Sequence, residues 1–122
     1  MRLLLDIHVL LWSLADSPEL PPDLREKIVD PTNDAFVSAA SVWEIAIKKR
    51  LGKLAAPDNL LEVIEACDFT HLPINFAHAM AARALPPHHD DPFDRMLIAQ
   101  SREEGLVLAT PDRSEARGLG PG

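Results

Sequence analysis

Three short apolar runs punctuate the chain, and each ends on a polar side chain. Leu3-Leu4-Leu5 stops at Asp6, Ala35-Phe36-Val37 stops at Ser38, and Leu106-Val107-Leu108-Ala109 stops at Thr110-Pro111-Asp112. Runs this short and this apolar read as strands buried on both faces. Stretches with helical spacing lie between them. Val9, Leu10, Trp12 and Leu14 mark the first, closed near Asp16-Ser17-Pro18, and Pro21-Pro22-Asp23 opens a second that runs to about Val29. A strong helix is predicted over about 40–51, closed by Gly52, and another from Pro57-Asp58-Asn59 to Cys67. Phe69 to Ile74 is a weak extended segment, and Asn75 begins an Ala-rich helix to about Leu85. Asp91 caps a last helix, Pro92 opens it, and Gly105 ends it. Strands alternating with helices imply right-handed crossovers and a parallel sheet covered on both faces. This is an α/β, three-layer α/β/α architecture with a central parallel sheet. Its ligands belong at the carboxyl ends of the strands, at a topological switch point.

The chain of 122 residues is one domain's worth, with residues 117–122 expected to be irregular. No apolar run approaches the ~20 residues of a membrane helix, and no basic segment precedes a longer apolar one, so neither a membrane span nor a signal peptide is expected. Cys67 is alone, which excludes an intrachain disulfide and suits a reducing cytoplasm. The formal charge is −7. Bulk attraction to nucleic acid calls for the opposite sign, unless the acidic excess is concentrated to hold cations.

The positions of the acids favour the second explanation. Asp6 ends the first strand and Asp112 follows the last. Glu44 is expected in the first turn of the 40–51 helix, where Val42, Trp43, Ile45, Ala46 and Ile47 surround it. A carboxylate in such a setting is costly without a compensating partner. Asp94 lies in the first turn after Pro92. On this topology all four fall on one rim. Carboxylates held close together need a cation, and an all-oxygen set without a Cys or His cluster suits Mg²⁺ or Mn²⁺ rather than zinc. Each acid also has a structural reading. Asp6 can cap the following helix, Ser41-Val42-Trp43-Glu44 reads as a capping box, Asp94 favours the helix dipole, and Asp112 suits a turn. These alternatives stand open at the level of the sequence.

Other polar residues carry less. Ser38 and Thr110 end strands, where their hydroxyls orient a metal-bound water or a phosphate, or cap. Lys48, Lys49, Arg50 and Lys53 form one basic cluster, read as a solvated helix face or, for Lys48 and Lys49, as phosphate contacts. Arg95 beside Asp94 is a third candidate phosphate contact. His88-His89 reads as a solvated loop pair, His8 as buried on a helix face, and Cys67 as a buried thiol.

Several of these segments resemble the PIN-domain ribonucleases of the VapC toxin type. They are Leu3-Leu4-Leu5-Asp6-Ile7-His8-Val9-Leu10-Leu11-Trp12, the run from Val37 to Lys48 containing Ser41-Val42-Trp43-Glu44-Ile45-Ala46-Ile47-Lys48, Leu85-Pro86-Pro87-His88-His89, and Asp91-Pro92-Phe93-Asp94-Arg95-Met96-Leu97-Ile98-Ala99-Gln100. The likeness extends over about residues 2–113. It implies a PIN fold and a Mg²⁺- or Mn²⁺-dependent endoribonuclease that leaves a 5′-phosphate and a 3′-hydroxyl. The protein would act as the toxin of a toxin–antitoxin pair. The implied acidic site is Asp6, Glu44, Asp94 and Asp112, supported by Ser38 and Thr110, with Asp91 a frequent further acid. Similar proteins are neutralised by a small antitoxin and commonly form homodimers. Two departures stand out. Residues 117–122 offer no β-branched or aromatic run for the family's last strand, and Pro111 removes a backbone donor beside Asp112. A catalytically silent PIN-like module, acting through its partner surface, is the alternative from another class. A phosphoacceptor receiver domain is excluded, because Asp6 is followed by Ile7 and no Lys follows Leu108.

Overall fold

The computed structural model describes residues 1–87 and 90–111. In chain order the elements are β1 Arg2–Leu5, α1 Ile7–Leu14, α2 Pro22–Val29, β2 Asp34–Ser38, α3 Ala39–Arg50, α4 Leu60–Ala66, β3 Thr70–Leu72, α5 Phe76–Ala84, α6 Pro92–Glu104 and β4 Val107–Ala109. The strands form one sheet in the order β3-β2-β1-β4, and every pairing is parallel. Leu4 pairs with Phe36 on one side and with Leu108 on the other.

Pleating divides each strand between two cores. Leu3 and Leu5 of β1 join Ala35 and Val37 of β2 under α1, with Ile45 and Ile64 closing that side. Leu4 points the other way and joins Leu108, Leu97 and Ile98 beneath α6. No residue from Leu3 to Leu5 is more than 1% exposed, so β1 has no solvent face. α3 serves both layers, Ile45 facing one core and Ala40 the other. The expected three-layer α/β/α arrangement is therefore the fold.

Helix starts follow from side chains standing at strand ends. Asp6 caps α1 by accepting from the Val9 amide at 2.8 Å. Ser38 caps α3, its Oγ accepting from the Ala40 amide at 3.0 Å. This corrects the capping box expected at Ser41 and Glu44. Ser38 stands in extended backbone and already supplies the acceptor, so the helix begins directly on the strand and Glu44 falls in its second turn. Asp91 caps α6 with Pro92 at the first position, as expected, and Gly105 ends it in the left-handed conformation (φ 67°).

His8 also differs from expectation. Ile7, Val9 and Leu10 take the buried face of α1, which leaves His8 exposed and stacked on Trp12, one turn along, with ring centroids 5.9 Å apart. Cys67 is half-buried just beyond α4. His88, His89 and residues 112–122, including the expected irregular tail, lie outside the described residues.

Leu4 fills the space between β1's two neighbours and α6. Truncation there leaves a cavity that a sheet hydrogen-bonded on both sides cannot close. Leu4→Ala is expected to cost about 2–5 kcal/mol, read as a lower urea midpoint at unchanged slope. A loss below about 1 kcal/mol would show that β1 is not the packed centre.

Candidate functional site

The strand order reverses at β1. The chain moves outward from β1 to β2 and β3, then returns to place β4 on β1's other side. The switch point thus lies between the carboxyl ends of β1 and β4, where open parallel sheets bind ligands. Asp6 and Thr110 stand there. The Asp6 amide donates to the Ala109 carbonyl at 3.0 Å, which fixes the Asp6 backbone against the end of β4. The buried Thr110 hydroxyl bonds the Asp6 carboxyl. Burial raises the Asp6 pKa, and the bonds from Val9 and Thr110, with the charge of His8, pull it partly back. Asp6 is a desolvated carboxylate at the switch point, only partly compensated by its neighbours.

A second acidic group forms where α3 meets α6. Glu44 is 3% exposed, and the Lys48 ammonium donates to its Oε2 at 2.6 Å. Trp43 and Phe93 pack edge to face with centroids 5.3 Å apart, tying this turn of α3 to the first turn of α6. Asp91 and Asp94 of that turn lie within electrostatic reach of Lys48. With the Glu44 hydrogen bond as the largest cause, they raise the Lys48 pKa. Lys48 therefore pairs with Glu44 and sits in the field of Asp91 and Asp94.

Asp6 with Thr110 stands at the switch point, and Glu44 bonds Lys48 where α3 meets the Asp91 and Asp94 end of α6. Among the described residues no three His, Cys, Asp or Glu side chains converge closely enough to hold an ion. Asp112 lies outside the described residues. The donor chemistry nevertheless suits a hard divalent ion. It offers buried carboxylate oxygens at Asp6 and Glu44. It also offers the buried Ser41 hydroxyl, one turn before Glu44, which has no hydrogen-bond partner among the described residues.

The other cations have structural work. Lys49 donates to the Ala56 carbonyl at 2.7 Å and to Asp58 at 2.5 Å, holding the loop before α4 and lowering the Asp58 pKa. Arg95 donates to the carbonyls of Ala82, Arg83, Leu85 and Pro86, at 2.7 to 3.3 Å. It closes the C-terminus of α5, where a helix leaves its carbonyls unpaired. These bonds hold Lys49 and Arg95 in place, and Lys48 bonds Glu44.

A model of the PIN domain family matches residues 3–117. The chain belongs to the PIN domain family. Ribonuclease VapC16 of Mycobacterium tuberculosis is 36% identical over 66 residues, which is 51% of this chain and 47% of that protein. The chain thus spans about half the length of that relative. Among solved structures, DNA-bound VapBC from Salmonella typhimurium superposes with a TM-score of 0.69 at 18% identity, covering 98% of this chain and 93% of that one. VapBC2 from Rickettsia felis, bound to a DNA fragment from their promoter, gives 0.68 at 10% identity, with 96% and 92% covered. These two likenesses are of fold.

One part of this PIN domain escaped the sequence reading. Ser38 Oγ donates to Gln100 Oε1 at 2.6 Å, and Gln100 Nε2 reaches His78 Nδ1 at 3.3 Å and the Pro73 carbonyl at 3.3 Å. His78 Nδ1 also accepts from the Asn75 amide, so its Nε2 carries the proton toward Glu104 at 2.7 Å. This buried chain fastens the end of β2 to α6. Its one sequence signal is a Gln placed directly after the apolar run Met96-Leu97-Ile98-Ala99.

Two outcomes follow from these bonds. A raised carboxyl pKa means that ionised Asp6 costs stability. The cost is absent below the ordinary value, grows as pH rises toward the folded value, and persists above it. Asn keeps the cap without the charge, so Asp6→Asn in chelator is expected to melt higher than wild type at neutral pH, the gain shrinking as pH falls toward about 4. An equal or lower melting temperature at neutral pH rejects this. Arg95→Ala is expected to cost about 1.5–3 kcal/mol by denaturant unfolding. Arg95→Lys should not restore it, because one ammonium cannot span the four carbonyls that the guanidinium bridges.

Proposed function

We propose that this PIN domain is a metal-dependent endoribonuclease, the toxin of a toxin–antitoxin pair. The observation that carries the reading is Asp6, a buried carboxylate at the switch point of a PIN sheet, with its pKa raised by burial. The name of the related ribonuclease VapC16 supports RNA as substrate. Asp6, Glu44, Asp94 and Asp112 would hold Mg²⁺ or Mn²⁺ directly or through water. Bound there, such an ion supplies a nucleophilic water at neutral pH and charge stabilisation at the phosphodiester.

The chain's own residues would prepare that site. Thr110 holds the Asp6 carboxyl, and Ser38 fixes the start of the helix that carries Glu44. Trp43 and Phe93 keep Glu44 beside Asp94. Concentrating acids around cations lets an acidic protein meet phosphate. Lys48, Lys49 and Arg95 are the candidates for phosphate contacts.

The partner reading rests on different features. The structural neighbours include VapBC and FitAB complexes. An apolar groove of about 500 Å³ runs beside α3, α4 and β3, lined by Val42, Trp43, Leu61, Ile64 and Leu72, and it suits the apolar side of a small antitoxin. Phe76 and Met80, one turn apart and exposed on α5, suit a homodimer contact. Among the described residues no helix is long and apolar enough to cross a membrane. A cytoplasmic location remains part of the proposal.

The catalytically silent alternative draws on the lack, among the described residues, of three acids converging on one point. Incubation of purified protein with total RNA and Mn²⁺, followed by sequencing of the new 5′ ends, tests both. Defined cleavage sites are expected, abolished by chelator and reduced by about 100-fold or more in Asp6→Asn and Asp94→Asn. Cleavage that survives in both variants rejects the site. A stable, folded protein that cleaves no RNA favours the silent module.

A further inference from the structure

The Glu44 carboxylate has a cation in residence. It is 3% exposed, and the Lys48 ammonium sits 2.6 Å from its Oε2, reaching back one helical turn. Lys48 is part-buried and can leave; Glu44 is fixed in an apolar turn between Trp43 and Ile45 and cannot. Asp91 and Asp94 add to the negative field around the same ammonium. A buried carboxylate stripped of its partner is strongly unfavourable. The charge of Lys48 therefore makes the buried Glu44 carboxylate tolerable without a divalent ion.

We infer that Lys48 is a built-in counter-ion that a divalent cation must displace from Glu44. The inference rests on the proposed metal site and extends it. Lys48 competes with the ion for one oxygen of Glu44, and while the pair stays closed, one carboxylate of the set is already taken. That fits the absence, among the described residues, of three acids gathered around one point. Lys48 is a positioning residue here, acting through Glu44. It costs metal affinity and stabilises the ion-free fold, so the same substitution must move those two quantities in opposite directions. A side chain that only contacts phosphate moves neither.

The test uses Mn²⁺ alone, with calorimetric titration of the full chain and melting in chelator, for wild type, Lys48→Gln and Lys48→Arg. Lys48→Gln is expected to melt several degrees lower in chelator, to bind Mn²⁺ on the order of tenfold more tightly, and to gain more in melting temperature from Mn²⁺ than wild type does. Lys48→Arg keeps the charge and should stay near wild type in both. If Lys48→Gln does not fold in chelator, the double variant Glu44→Gln/Lys48→Gln should, because it removes the stranded charge as well. Failure of that double variant to regain stability overturns the inference. Unchanged Mn²⁺ affinity, or weaker binding in Lys48→Gln, overturns it while leaving the metal site standing. Absence of Mn²⁺ binding in every protein, wild type included, overturns the metal site and the inference together.

Discussion

Strand β1 is hydrogen-bonded on both sides and buried on both faces, and the rest of the molecule is arranged around that condition. Leu3, Leu4 and Leu5 leave no room for a polar side chain until the strand ends. The first polar residue after the run then stands at the carboxyl edge of the sheet, with the amide of α1 before it and the end of β4 beside it. Asp6 is placed by the length of the apolar run. Its partial desolvation follows from being the neighbour of a strand that excludes water.

The two acidic groups are stabilised differently. Asp6 relies on neutral donors, a backbone amide and the Thr110 hydroxyl, which do not fully offset burial. Glu44 relies on a full positive charge one turn along its own helix. Asp6 is thus left with part of its burial cost unmet, whereas the charge of Glu44 is answered directly. Buried ion pairs lose much of their attraction to desolvation, so a part-exposed Lys is an exchangeable partner where a buried Arg would be a permanent one.

Much of the fold was legible because its signals are local. Three apolar strands ending at Asp6, Ser38 and Thr110, the Asp91-Pro92 start and the Gly105 stop of α6 each depend on a few adjacent residues. Asp6 was legible as a cap at a strand end, and it is a cap whose carboxylate also stands at the switch point. The capping box at Ser41 was misplaced because the strand end at Ser38 supplied a competing acceptor, which a pattern match does not weigh. His8 was misassigned because helix spacing shows which residues share a face but not which face the sheet covers.

The long-range bonds were not legible. Arg95 at the end of α5 and Lys49 on the loop before α4 each tie one element to the next, and Gln100 between Ser38 and His78 joins segments well apart in the chain. Nothing in the spacing of those residues specifies such partners. The sequence by itself determined the α/β class, the strand and helix order, and the residue types that a cation site needs, because propensity, periodicity and capping act within a turn or two. Tertiary structure alone decided which of those residues meet. It brought Asp91 and Asp94 of α6 beside the local Glu44–Lys48 pair of α3, and set Thr110 against Asp6 across two paired strands. Proximity between distant segments is fixed by the packing of helices on a sheet, and packing is a property of the whole chain.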